Sequence, residues 1–197
     1  MIAVVDYGAG NLRSVCNALD VLAQRYYVAK DASDLTAGSG IILPGVGHFR
    51  QMMEALLFSG VANRLQLAAM DGVPLFGICL GMQALFEESE EASGIRGLGL
   101  LKGEIKRFTD VPRIPHMGWN SLSAVRATRL LEGLPKEPYA YFAHSFYVPV
   151  MEATAATCTY AQPHTAILER ENIFGVQFHP EKSGPVGLQI VKNFLDL

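Results

Sequence analysis

In "FGICLGMQ", residues 76–83, Cys79 stands between Gly77 and Gly81, where the apolar run "VPLFGI" gives way to the helix-like "LGMQALFEE". A strand–turn–helix with a nucleophile between glycines is the elbow pattern, here with sulfur in place of a hydroxyl. A sharp turn pushes the side chain out above a sheet, and residues two away on each side must lack bulk. At a helix N-terminus the dipole favours thiolate below the ordinary value of about 8.5. The pattern is short, and free cysteine is also a common buried filler. By itself it leaves both readings open.

A thiolate nucleophile needs a base and a proton donor for its leaving group. "VQFHPEKS", residues 176–183, offers them: a strand brings the chain to His179, Pro180 stops the ladder, and Glu181 follows two residues on. Glu181 can hold the imidazole in the tautomer that accepts the thiol proton. A third element is "IILPGVGHF", residues 41–49, where a buried strand ends in Pro44-Gly45-Val46-Gly47. Glycines around a small residue permit backbone dihedrals that turn an amide toward a developing oxyanion. The amide of Leu80, just after the cysteine, supplies a second donor. His48 reads as a polar helix start.

These groups meet only if their strands share an edge. "MIAVVD", "GIILPG" and "VPLFGI" are apolar without alternation, and helical runs lie between them. Leu12, Val15, Leu19 and Leu22 fall at helical spacing after Asn11; residues 49–70 read as helical, broken at "FSG". Such strands belong in a parallel sheet covered on both faces, whose strand C-termini gather where ligands bind. From about Leu98 the signals turn to strands: "LLKGEIKRF", "WNSLSAV", "YAYFAHSFYV", "ATCTYA", "TAILER" and "IFGVQFHP", then a final helix, "GPVGLQIVKNFLDL". The expected architecture is one three-layer α/β domain over residues 1–197, a mostly parallel central sheet with antiparallel strands added in the second half.

Composition narrows the function. The chain has 197 residues, half of them apolar, and a net charge of −3, which gives no electrostatic case for nucleic acid or an anionic membrane. No apolar run is long enough to span a bilayer, and "MIAVVDYGAGN" lacks the basic start of a signal peptide. Three widely spaced cysteines, Cys16, Cys79 and Cys158, fit a reducing cytoplasm, and five scattered histidines give little support for a metal site.

"PGVG", "GICLGMQ" and "FHPEKS", in this order and spacing, resemble the class I, triad-type glutamine amidotransferases along essentially the whole chain. "DYGAGNLRSV", "IPHMGWN" and "YFAHSF" narrow the resemblance to the glutaminase subunits of imidazole glycerol phosphate synthases; other branches tend toward a PGG-type loop and lack PHMGWN. Lys102 and Arg113 depart from the usual pattern without touching the motifs. The resemblance implies a flavodoxin-like fold, no cofactor, and a triad of Cys79, His179 and Glu181 that hydrolyses glutamine through a γ-glutamyl thioester. It implies Gly45, Val46 and Gly47 as the oxyanion strand with Leu80 opposite. Gln83, Ser145 and Phe146 become glutamine contacts, and Glu91, in the acidic "EESEE", a partner for the substrate's α-ammonium.

It also implies a partner. Ammonia in neutral water is mostly ammonium, which is no nucleophile, and this chain carries neither Walker A nor GxGxxG for a phosphosugar. In the family the acceptor site belongs to a (β/α)₈-barrel cyclase, joined as a heterodimer, that makes imidazole glycerol phosphate and aminoimidazole carboxamide ribotide in histidine biosynthesis. Pro115, Met117 and the single Trp119, in a loop-like stretch, suit an interface core. Asn11, Tyr141 and Lys182 match positions at the subunit boundary. Rival readings are a glutaminase of the same class for another pathway, a cysteine-elbow peptidase or esterase, and a non-enzymatic binding module that keeps the elbow.

Overall fold

Short apolar runs become strands buried on both faces when helices cover both sides of a sheet, and four strands here are buried along their whole length. The structure, a computed structural model, describes residues 1–8, 11–35, 40–109, 111 and 113–197. Ala9 and Gly10 of the expected "YGAGN" turn lie outside the described residues. The chain runs β1 (Ile2–Val5), α1 (Leu12–Val21), β2 (Tyr26–Ala29), β3 (Gly40–Gly45), α2 (Phe49–Phe58), α3 (Val61–Met70), β4 (Leu75–Cys79) and the single turn α4 (Leu80–Gln83). Then follow β5 (Phe86–Ser89), β6 (Leu101–Arg107), β7 (His116–Ser121), β8 (Ser123–Ala124), β9 (Tyr139–His144), β10 (Phe146–Tyr147), β11 (Thr154–Tyr160), β12 (Gln162–Arg170), β13 (Ile173–Val176) and α5 (Gly184–Leu195).

The main sheet has the order β2-β1-β3-β4-β13-β12-β11-β8. Its first five strands are parallel, and β12, β11 and β8 continue it antiparallel. Alternate strand residues feed two cores. Ala3, Val5, Ile41 and Leu43 pack on α2 and α3 through Phe49, Met52, Met53, Leu56 and Leu65. Ile2, Val4, Ile42, Phe76 and Ile78 pack on α1 and α5 through Val15, Leu19, Ile190 and Phe194. The three-layer α/β expectation therefore holds, antiparallel extension included. Burying each such side chain contributes about 1.5–3 kcal/mol. That outweighs the roughly 1 kcal/mol of a side-chain cap, so α1 tolerates Asn11 at its N-cap without a capping hydrogen bond.

Two expectations are corrected. "LGMQALFEE" has helical periodicity, yet only Leu80–Gln83 is helical and Phe86–Ser89 is strand β5, parallel to β6. The Ala84 and Leu85 carbonyls, which would carry the helix onward, accept instead from the N–H groups of Leu98 at 2.8 Å and of Leu100 and Leu101 at 2.9 and 3.0 Å. Likewise Met117 and Trp119 lie on strand β7, not in a loop, because β7 pairs antiparallel with β9. The break at "FSG" falls where expected, with Gly60 left-handed at φ +73° between α2 and α3.

A very close backbone approach lies beside the elbow. A Cβ on Gly81 would stand 1.9 Å from the Leu43 carbonyl oxygen, and one on Gly45 would stand 2.2 Å from the Gly81 nitrogen. Backbone passes over backbone there, with no flexible side chain to yield. Gly81→Ala is expected to cost about 3 kcal/mol, the upper end of ordinary overpacking, measured as a lower midpoint in urea unfolding.

Candidate active site

Parallel pairing of β3 with β4 and of β4 with β13 brings three strand ends to one edge. At that edge Cys79 closes β4 with φ +54° and ψ −110°, a left-handed conformation that a side chain adopts only under constraint. The chain then turns back over Gly45, which is register partner to Cys79 in β3. The cysteine is buried. Because α4 is a single turn, its dipole is short, and activation of the sulfur falls to neighbouring side chains.

His179 follows β13 and is fixed by its own backbone. Its N–H donates to the Tyr141 carbonyl of β9 at 2.9 Å, and its carbonyl accepts from Ser183 Oγ at 2.7 Å. The ring Nδ1 lies 2.9 Å from Glu181 Oε1, which leaves Nε2 for the sulfur. Asn11 donates its side-chain amide to the same Glu181 oxygen. Burial alone pulls the imidazolium down, yet hydrogen bonds and charge at Cys79 and Glu181 more than offset it and hold His179 up at about 10. These contacts favour the protonated ring, which lies between the Glu181 carboxylate and the Cys79 sulfur. A thiol, an imidazole and a buried carboxylate in this order can attack an acyl carbon and return a proton to the leaving group.

A cavity of about 240 Å³, of amino-acid size, opens beside the sulfur. Val46, Gly47, Cys79, Leu80, Gln83, Glu91, Pro115, Ser145, Phe146 and His179 all line it, so ten positions singled out from the sequence converge there. Glu91 Oε2 also accepts from the Phe49 N–H at the start of α2, at 2.8 Å, which pins its carboxylate at the rim. Gly45 sits beneath the turn and Glu181 behind His179. Trp119 and Met117, each 58% exposed, point off β7, with the Trp119 ring 6.1 Å from Tyr141 on β9. Lys182 is exposed on the turn after Glu181. Asn11, expected at a partner boundary, is half-buried and spends its amide on Glu181. His48 caps α2, accepting from the Arg50 N–H at 3.2 Å.

In this conformation the Val46 amide is held by a side chain. It donates to the Tyr7 hydroxyl at 2.9 Å, and that hydroxyl donates back to the Val46 carbonyl at 2.7 Å. A half-buried phenol needs such partners, and no sequence spacing links residues 7 and 46. His144 and Gln177 were also missed: His144 lines the cavity, and Gln177 Nε2 lies 3.7 Å from Cys79 Sγ. Both are buried polar residues in strand-like runs, which is a faint signal.

Among the described residues, one group of side chains has ligand atoms close enough for a metal: His116, His144 and His164, all within 4.8 Å. The nitrogens of His116 and His144 are taken, whereas both ring nitrogens of His164 are buried without a hydrogen-bond partner. His144 Nδ1–H donates to the Phe146 carbonyl at 2.8 Å, so its Nε2 accepts, 3.1 Å from His116 Nδ1. Burial pulls His116 and His164 down to about 4, and His144 well below its ordinary value. Neutral rings stack in an aromatic cluster, His116 on Tyr160 at 4.2 Å and His164 against Phe108 at 5.4 Å. No carboxylate joins them, so the set reads as aromatic core.

The raised His179 has a consequence for stability. A group held above its ordinary value of about 6.5 contributes stability in full below that value and loses it as pH climbs through about 10. The stability gap between the parent and Glu181→Gln should be widest near pH 6 and shrink toward pH 10. Urea unfolding across that range measures it.

Comparison with known proteins agrees with this geometry. Residues 3–197 match the model of the family "Glutamine amidotransferase class-I". The chain is 44% identical over 198 residues to the imidazole glycerol phosphate synthase subunit HisH of Methanocaldococcus jannaschii, covering 100% of both chains. It is 49% identical over 196 residues to the subunit of the same name from Desulfitobacterium hafniense strain Y51, covering 98% of this chain and 93% of that one. In fold it resembles a crystal structure of a glutamine amidotransferase, with TM-score 0.79 at 20% identity over 100% and 98% of the two chains. A PurLQS structure from Thermotoga maritima gives TM-score 0.76 at 23% identity over 99% and 97%. At these identities the structural likeness speaks for fold alone. A family match across nearly the entire sequence, with relatives at 44% and 49% identity, leaves one conclusion: this chain belongs to the class-I glutamine amidotransferases.

Proposed function

We propose that the chain is the glutaminase subunit of an imidazole glycerol phosphate synthase, acting as one domain over residues 1–197. The observation that carries the chemistry is Cys79, turned out at φ +54° beside an imidazole that Glu181 orients through its Nδ1 at 2.9 Å. Cys79 Sγ attacks the side-chain carbonyl carbon of L-glutamine, and a tetrahedral oxyanion forms. His179 gives its proton to the departing nitrogen, the C–N bond breaks, and ammonia leaves a γ-glutamyl thioester. Water then attacks the thioester, with His179 taking its proton, and glutamate departs as Sγ is released. Glu181, itself held by Asn11, keeps the ring in register for both steps. Gln83, Ser145, Phe146 and Glu91 line the glutamine site. No cofactor takes part.

The names of the relatives support the pathway, since they are subunits of a synthase. The ammonia passes to a (β/α)₈-barrel cyclase in a heterodimer, which makes imidazole glycerol phosphate and aminoimidazole carboxamide ribotide for histidine biosynthesis. The exposed Met117 and Trp119, with Pro115, Tyr141 and Lys182 nearby, form the docking face; a dry interface there keeps ammonia unprotonated. Asn11, set between α1 and Glu181, links that boundary to the triad. Three free cysteines suit work in the reducing cytoplasm.

Cys79→Ala is expected to abolish glutamine-dependent synthesis and leave synthesis from an added ammonium salt intact; wild-type glutamate release from the variant would refute the nucleophile. For Val46 to serve as an oxyanion donor with Gly45, Gly47 and Leu80, its amide must first leave Tyr7. Removing one such donor typically costs about 10²–10³ in rate. Tyr7→Phe should therefore raise glutamate release by the chain without its partner, by up to about that range, in a direct glutamate assay.

A further inference from the structure

Gln177 is fully buried, two residues before His179, and the reaction scheme gives it no part. Its side chain spans two groups that do have one. It lies 3.0 Å from Gln83 Nε2 through its Oε1, and 3.7 Å from Cys79 Sγ through its Nε2.

The polarity of this chain of groups is fixed from one end. The Phe146 backbone carbonyl can only accept, and it takes His144 Nδ1–H at 2.8 Å and Gln83 Nε2 at 2.9 Å. A reversed Gln83 amide would set oxygen against oxygen, so its NH₂ must face Phe146. The second N–H of that NH₂ goes to Gln177, which must present its carbonyl. What remains of Gln177 is its own NH₂, and that faces the sulfur. Both hydrogens on Gln83 nitrogen are thus used, and the group it can offer the cavity is its carbonyl oxygen.

We propose that Gln177 is a positioning residue for the nucleophile: its carboxamide donates a hydrogen bond that steadies the Cys79 thiolate, and its oxygen orients Gln83. The inference rests on the reading of Cys79 as nucleophile. A donor aimed at an anion favours it, and burial keeps water from supplying the same bond. His179 and Gln177 then hold the sulfur from two sides, the one by charge and the other by a neutral dipole that never exchanges its proton in the reaction.

The test reads the thiolate directly. Iodoacetamide alkylation of the full chain is followed against pH at the Cys79-containing peptide by mass spectrometry, which separates it from Cys16 and Cys158. In Gln177→Met the alkylation profile should move to higher pH, with a rate about ten- to a hundredfold lower near neutrality. In complex with the cyclase, its kcat should fall more than its KM changes. Gln177→Glu supplies a second, independent readout. Protonated, its carboxyl offers the same acceptor and donor as the amide; ionised, it repels the sulfur, so its rate relative to the parent should drop as pH rises. A folded Gln177→Met with the parental profile overturns the proposal. If that variant does not fold, a folded Gln177→Leu with the parental profile overturns it. Cys79→Ser run alongside separates the two levels: survival of glutamate release there defeats the nucleophile assignment, whereas parental behaviour of the Gln177 variants alone defeats only this inference.

Discussion

The passage of one backbone over another at Gly45 and Gly81 is the constraint on which the site depends. There the end of β3 and the first turn of α4 approach so closely that any Cβ at Gly81 would fall inside the Leu43 carbonyl. That approach forces the reversal after β4 and with it the left-handed Cys79. Gly77 completes the arrangement, since a Cβ there would lie 2.6 Å from the Met82 Cα. The strained residue is held by packing that cannot relax around it. A cysteine as mere filler would need none of this.

Charge is handled differently on the two sides of β9. Toward the elbow, His179 keeps its proton because Glu181 and Cys79 answer it within a buried site. Among the rings packed on β9, His116 and His164 are pulled down by burial. The two environments meet at the Phe146 carbonyl, which accepts from both His144 and Gln83. A neutral, acceptor-only group at that junction sets the direction of every amide from there to the sulfur. Tyr7 acts on the opposite wall in a comparable way, occupying both backbone polar groups of Val46 with one hydroxyl.

The strand pair β7–β9 shows how alternation divides one segment between two tasks. His116 faces the aromatic core, whereas Met117 and Trp119 stand outside it with Tyr141 across the ladder. On this geometry the chain's single tryptophan, Trp119, is exposed rather than packed in the core. The one-residue alternation of a strand sets Met117 and Trp119 in a rigid apolar row on its exposed face.

The sequence by itself determined the layered α/β class, the strand end on which Cys79 sits, the placing of His179 shortly after a strand, and the glycines around the elbow. Those features follow from local periodicity and from steric needs within a few residues. It misjudged the run after Gln83, where helical periodicity lost to hydrogen bonds from residues 98–101, and the stretch around Trp119, where pairing with a distant strand made the element. Only the tertiary structure decided that Asn11 serves Glu181, that Tyr7 holds Val46, and that Gln177 reaches Cys79 Sγ. Each of these joins residues 39 to 170 positions apart through one or two hydrogen bonds. Such bonds leave no periodic mark along a chain, because they are set by how the sheet edge brings separate strand ends together.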